Sequence, residues 1–332
     1  MAKLFLASIL LFIFFLYLPS PSHGVCHPSD MKALLKIKAA LNNPSQMASW
    51  NETFDCCAPF QQLISCDPAT NRVNNIYIDS DPRIRGRSIP SAISELTYLT
   101  LIFISPTGLV GSIPPSFAKL KYLQELIIWT NHLSGPIPEF LSQMQSLTFL
   151  RLTGNQFSGT IPASLSGLSN LTELDLSNNN LTGTIPDSFG NFSSQLNFLE
   201  LQGNRLSGEV PRSLGNVDFL SIHLSNNEFT GDASFLFGSN KKTTDIYLDN
   251  NAFEFNFSNV EISSNLWRLN ISHNKIFGSI PHGLATIPSL LLLNVSNNNL
   301  CGEIPQGGKL QSFGSSAYLD NKCLCGKPLP AC

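Results

Sequence analysis

The sequence predicts an α/β solenoid, a right-handed superhelix of about ten coils with a parallel sheet along its concave side. Three observations predict it. Residues 174–186 read LDLSNNNLTGTIP, and the pattern Leu-x-Leu-x-x-Asn-x-Leu-x-Gly-x-Ile-Pro returns at 150–162, 199–211, 269–281 and 293–305, with conservative swaps. The asparagines that mark it, Asn131, Asn155, Asn179, Asn204, Asn227, Asn251, Asn274 and Asn298, recur every 23 to 25 residues. The cysteines fall in two end clusters with none between Cys66 and Cys301, as expected where only the ends need covalent support.

A period of about 24 residues with this pattern is the leucine-rich-repeat signature. Each position has a physical task. Leu174 and Leu176 alternate with Asp175 and Ser177, so a short strand turns the leucines inward. Asn179 follows the strand, where its amide can bond buried main-chain groups and where asparagine tolerates unusual backbone angles. Leu181 and Ile185 fill the core from the other side, Gly183 permits a bend, and Pro186 sits where no ladder N–H is needed. One coil cannot bury its own apolar side; stacked coils can.

The chain divides into a leader (1–24), an N-terminal cysteine-rich cap (25–72), the repeats (73–305) and a C-terminal cysteine-rich cap (306–332). Lys3 precedes an apolar run over residues 4–18, too short to span a bilayer, and Pro19 and Pro21 follow, so a secretory signal peptide is expected. No other apolar run is long enough to cross a membrane, and a soluble, secreted monomer is expected. The formal net charge of −3 gives no footprint for nucleic acid. An even count of 8 cysteines in a secreted chain reads as disulfides, with no histidine at metal-ligand spacing. Neither a metal nor a cofactor is expected. Spacing alone leaves the pairing open. In the N-terminal cap, Ser29 and Asp30 start an amphipathic helix with Ala33, Leu34, Ile37 and Leu41 inward, stopped by Asn42-Asn43-Pro44.

Toward the N-terminus the register holds with Thr107 and Asp81 in the asparagine slot. Around Asn227 and Asn251 the Ile-Pro ending gives way to phenylalanine-rich GDASFLFG and AFEFNFSN. Sequons begin at Asn51, Asn170, Asn180, Asn191, Asn256, Asn270 and Asn294, each a candidate glycan site in a secreted chain.

The register also gives the residues that face out of the concave strands. Seven carboxylates, Asp79, Glu125, Glu173, Asp175, Glu200, Asp245 and Asp249, accompany Arg151 and Arg268, with apolar Phe103, Ile127, Trp129, Phe149 and Phe198 among them. Exposed aromatics beside charges suit a protein interface. Two enzyme-like sets occur, the pair Asp175/Glu200 and the group Ser221, His223, Ser225 and Asp245. Both lie on an open sheet where nothing excludes water, and no catalysis is expected.

The end cysteines, the Gly-x-Ile-Pro repeats, GDASFLFG at 231–238, and LNVSNNNLCGEIPQGG followed by KCLCGKPLPAC closely resemble plant polygalacturonase-inhibiting proteins. The resemblance covers essentially the whole mature chain. It implies the pairing Cys26–Cys56, Cys57–Cys66, Cys301–Cys323 and Cys325–Cys332. It also implies an extracellular, cell-wall defence protein that occludes fungal, and sometimes insect, endo-polygalacturonases with its concave face. By register it carries partner contact onto Phe103, Ile127, Trp129, Phe149, Arg151, Thr153, Glu173, Asp175, Ser177, Glu200, Gln202, His223 and Tyr247. Pectin binding by a basic flank would fall on Arg205, Lys241, Lys242 and Lys275, with Glu228 among them. Phe149, Arg151 and Glu200 depart from the usual occupants, which bears on target range. Two alternatives stand beside inhibition: a ligand-binding module in receptor signalling, and ice binding by a partial Ser/Thr ladder, Ser134, Ser158, Thr182, Ser207 and Thr230.

Overall fold

The computed structural model describes residues 26–58 and 61–332; the predicted leader, residues 1–24, lies outside them. The Leu-x-Leu alternation produces short strands such as Glu173–Asp175, followed by Leu176, and both leucines are fully buried. These strands stack into an 11-stranded sheet. All run parallel except the first, Ile64–Cys66, which the N-terminal cap lays antiparallel against Val73–Ile78. The last is Leu292–Asn294.

Most coils then add a strand to a second sheet on their flank, and the last such strands, Phe277–Gly278 and Asn299–Glu303, form a separate 3-stranded sheet with Cys323–Cys325. Asn180–Gly183 is one of the 7 strands of the second sheet, and Gly183 makes its bend at φ 78, in the left-handed region that suits glycine. The Ile-Pro ending starts a 3₁₀ helix on the convex side. Pro186 caps Asp187–Asn191, Pro211 caps Arg212–Asn216, and Phe189 and Leu214 point inward. In the two phenylalanine-rich coils these helices shrink to Ser234–Leu236 and Phe257–Asn259. Phe229, Phe253, Phe237, Phe255 and Phe257 fill the space, with ring centroids 6.0 to 6.4 Å apart.

The marker asparagines join the coils. Asn179 donates from Nδ2 to the carbonyls of Leu176 (3.1 Å), Ser177 (3.0 Å) and, one coil back, Leu152 (3.0 Å); its Oδ1 accepts from Phe157 N (3.0 Å). Asn155, Asn204, Asn251 and Asn298 repeat the arrangement. The unusual backbone angle falls one residue earlier than expected. Asn178 (φ 53) precedes Asn179, and Gly154 (φ 68) precedes Asn155. The marker supplies the amide and its predecessor the left-handed turn. Thr107, lacking an amide, instead donates from N and Oγ1 to Asn131 Oδ1 at 3.1 and 2.7 Å. Asp81 accepts from Ser45 N and Oγ at 2.7 and 2.6 Å and so ties the cap to the first coil.

The cap helix is Pro28–Ala40, capped by His27 rather than by Ser29 or Asp30. Ala33, Leu34, Ile37 and Leu41 are buried as expected, and Asn42 and Asn43 take positive φ just beyond it. Asp30 is buried inside the first turn, where Arg72 Nη2 at 2.7 Å and Val73 N at 2.9 Å both donate to it. All four expected disulfides are present: Cys26–Cys56, Cys57–Cys66, Cys301–Cys323 and Cys325–Cys332. The sulfurs of Cys26, Cys56 and Cys57 lie together, but all three are committed to disulfides.

The C-terminal cap hides one further partial coil. Asn321 donates to Val295 O (3.0 Å) and Tyr318 O (2.9 Å) as a marker asparagine would, with Tyr318 buried in place of a leucine. Among the described residues, no helix is long and apolar enough to cross a membrane.

Candidate functional site

Strand register assembles the concave face column by column. Phe149, Glu173, Phe198, Ser221, Asp245, Arg268 and Leu292 pair in one row across neighbouring strands. Arg151, Asp175, Glu200, His223, Tyr247, Asn270 and Asn294 pair in the next. Three zones follow from their chemistry.

The first zone is aromatic. Tyr77 packs on Phe103 at 5.9 Å between centroids, and Phe103 meets Trp129 edge-on at 6.4 Å. Trp129 is 41% exposed, and Ile127 lies half-buried on the strand just before it, Glu125–Ile128. Tyr77 is absent from the residues that the resemblance singles out, yet it occupies the head of the middle row. On the adjoining rim, Arg72 lies 4.3 Å above the Tyr98 ring, and Tyr98 stacks on Tyr122 at 5.8 Å. Both tyrosines precede their strands, so alternation within the strands gave no signal for them.

The second zone is a buried ion cluster. Arg151 Nη2 donates to Glu173 Oε2 at 2.6 Å, and its guanidinium lies 5.7 Å from the Phe149 ring. Asp175 Oδ1 accepts from Ser177 N and Oγ at 3.0 and 2.6 Å, and Thr153 Oγ1 lies 2.6 Å from Ser177 Oγ. Glu173, Asp175 and Ser177, expected to face outward, are 8%, 9% and 2% exposed. They point out of the strand, but Arg151 and neighbouring strands cover them. Burial pushes the Asp175 carboxyl above its ordinary range, against the Ser177 hydrogen bonds.

The third zone is mixed. Glu200 accepts from Gln202 Nε2 at 3.0 Å and faces His223 Nδ1 at 3.8 Å. His223 packs against Tyr247 at 4.4 Å between centroids. Burial depresses the His223 pKa, opposed by Glu200, Asp245 and Asp249. Beyond it Arg268 pairs with Asp245 at 3.2 Å, and Ser225 donates to Asp249 at 2.5 Å. Among the described residues neither Ser221 nor Ser225 bonds His223, so no nucleophile–base pair is assembled. Asp175 and Glu200 are register partners, but Asp175 is enclosed by its serine.

The basic residues do not form one flank. Arg205 and Lys275 lie exposed after the concave strands, whereas Lys241 and Lys242 lie before theirs, at the opposite edge. Lys241 Nζ is turned onto the carbonyls of Gly215 (2.8 Å) and Val217 (3.2 Å), and burial lowers its pKa. Lys242 Nζ donates to Asn197 Oδ1 at 3.0 Å. Of the sequon asparagines, Asn51, Asn170, Asn180, Asn191 and Asn256 are exposed, while Asn270 and Asn294 are half-buried in the middle row.

Comparison with known proteins fits this architecture. Residues 27–67 match the leucine-rich-repeat N-terminal domain, and residues 158–206, 146–168 and 265–287 match leucine-rich repeats. A polygalacturonase inhibitor of Pyrus communis is 56% identical over 309 residues, covering 93% of this chain and 92% of its own. Polygalacturonase inhibitor 3 of Phaseolus vulgaris is 57% identical over 311 residues, covering 93% and 91%. Among solved structures, a plant ice-binding protein superposes with a TM-score of 0.89 at 42% identity, covering 93% of this chain and 99% of that one. With identities above half across nearly the full length of both chains, this protein belongs to the polygalacturonase-inhibitor family.

Proposed function

We propose that the chain is an extracellular plant defence protein that binds fungal endo-polygalacturonases with its concave face and blocks their cleft. Full-length identity to polygalacturonase inhibitors carries this reading. The three zones supply its chemistry. Phe103, Ile127 and Trp129 anchor the contact by burying apolar area. Glu200 and the half-buried Glu125 attract basic groups at the rim of the target. Glu173, Asp175 and Ser177 act from beneath, by holding Arg151 and the Phe149 ring in place. The mechanism is occlusion, with no bond made or broken by the chain itself. Pectin contact falls to the exposed Arg205 and Lys275 rather than to Lys241.

The test is titration of the purified, glycosylated protein against a panel of fungal endo-polygalacturonases. Loss of activity in proportion to added protein is expected; full activity across the panel overturns the reading. Ice binding is the second reading, supported by the ice-binding structural relative and by Ser134, Ser158, Thr182, Ser207 and Thr230 along the second sheet. Exposed Arg205 and Glu228 stand beside that ladder and break its regularity. Ice recrystallisation at micromolar protein separates the two, with no inhibition of ice growth expected here.

A further inference from the structure

Four of the nine large apolar side chains exposed among the described residues lie on the last coils. Trp267, Leu291, Leu292 and Leu319 are 46%, 67%, 37% and 47% exposed on the last coils and their rim. Four earlier coils fill the rim position of Trp267 and Leu291 with Thr100, Thr148, Thr172 and Thr244, which donate their hydroxyls to carbonyls one coil back, and a fifth fills it with a half-buried leucine, Leu220. With Leu292 and Leu319, Trp267 and Leu291 leave the last coils more apolar on the surface than the coils before them.

Two sequon asparagines lie on the same coils. Asn270 and Asn294 are register partners, about 4.8 Å apart. Leu292 and Asn294, two residues apart on one strand, share a face. In the terminal coil, Val295 N donates to Ala317 O (2.8 Å) and Asn297 N to Leu319 O (2.9 Å). Leu176 and Asn178 donate to Glu200 and Gln202 in the same pattern. Ala317 therefore follows Asn294 in the middle row, with Leu319 beside it. Both asparagines accept at Oδ1 from the serine two residues on, Ser272 Oγ and Ser296 Oγ each at 2.8 Å. Those bonds fix each amide and leave Nδ2, the atom a glycan would take, without a hydrogen-bond partner among the described residues.

We propose that the Asn270–Asn294 pair carries N-linked glycan whose first sugars cover Leu292 and Leu319 and close this end of the concave face to protein partners. On the nascent chain the amide nitrogen attacks C1 of the reducing-end N-acetylglucosamine of a polyprenyl-pyrophosphate oligosaccharide. The N–C1 bond forms, the C1–O bond breaks, polyprenyl pyrophosphate leaves, and the amide gives up one proton. The CH face and acetyl methyl of that sugar match exposed leucines, which charged groups would not. The small neighbours Ser272, Ser296 and Ala317 leave it room. The inference rests on the secreted character proposed above and not on inhibition.

The test uses the full chain secreted from plant cells. Peptide N-glycanase in heavy-oxygen water converts each glycosylated asparagine to labelled aspartate, read by peptide mass spectrometry. Label at Asn270, Asn294 or both is expected; a secreted protein unlabelled at both overturns the proposal. A chain retained inside the cell overturns the secreted reading instead. The covering role is read on the native glycoprotein with an apolar fluorescent dye. Trimming to a single N-acetylglucosamine should leave dye binding low, and complete removal should raise it several-fold. Unchanged dye binding after complete removal overturns the covering role. The Leu292→Ser/Leu319→Ser variant should abolish the rise.

Discussion

Arg151 donates from Nη2 to Glu173 Oε2 at 2.6 Å across neighbouring concave strands, while its own register partner is Asp175. The guanidinium thus pairs with a carboxylate that is otherwise enclosed, the Glu173 side chain being only 10% exposed. Arg151→Gln should cost about 1–2 kcal/mol, because it leaves buried charge uncompensated while Arg151 itself is partly screened by solvent. Urea unfolding measures it. Adding Glu173→Gln should recover part of the loss, and a neutral single variant would show that the pair contributes nothing.

Two carboxylates should respond to pH in opposite senses. Burial raises the folded-state pKa of Asp175 above 3.8. The folded chain then binds the proton more tightly than the unfolded one, so stability falls as pH rises from 3.8 through the folded value. Asp175→Asn should remove that loss and stabilise the protein at neutral pH. Hydrogen bonds from Ser45 and from Arg83 N hold Asp81 below 3.8; its contribution is present above 3.8 and lost as pH falls through the folded value. Asp81→Asn should weaken the protein at neutral pH and leave it less sensitive to acid. Thermal midpoints taken across acid and neutral pH distinguish the two.

The marker asparagines offer a sharper stability test. Asn179→Ala removes four hydrogen bonds and strands buried main-chain groups in two coils, a cost of about 3 kcal/mol. Asn216→Ala, at an exposed convex position, should fall within about 0.5 kcal/mol of the parent. Equal effects from the two would remove the ladder from the account of stability.

Partner contact should depend on the first and third zones. Trp129→Ala should weaken binding by about thirtyfold, the scale of a central aromatic anchor. Glu200→Lys should slow association and reverse its salt dependence, since it inverts a charge that steers encounter. Calorimetry and stopped-flow association with an inhibited polygalacturonase supply both numbers, with circular dichroism confirming that each variant is folded.

The solenoid was legible because Leu174, Leu176, Asn179 and their counterparts repeat in fixed register, and register alone sets which residues align across strands. Burial on that face was not legible. Glu173, Asp175 and Ser177 point outward by alternation, but Arg151 and Thr153 from the neighbouring strand and the Asp175–Ser177 hydrogen bonds enclose them. The direction of the Lys241 ammonium depends on loop carbonyls that no periodicity encodes. The terminal coil is hidden in the sequence because Tyr318 stands where the pattern wants leucine, and the Tyr98–Tyr122 rim because both precede their strands.

The asparagine amides grip carbonyls and N–H groups, never the side chains that look outward. Each outward residue can therefore be exchanged without loosening the clamp behind it. A lineage whose partners change can rewrite this wall one letter at a time while its architecture stands still. Only the positions that lean on one another, such as Arg151 and Glu173, must change together.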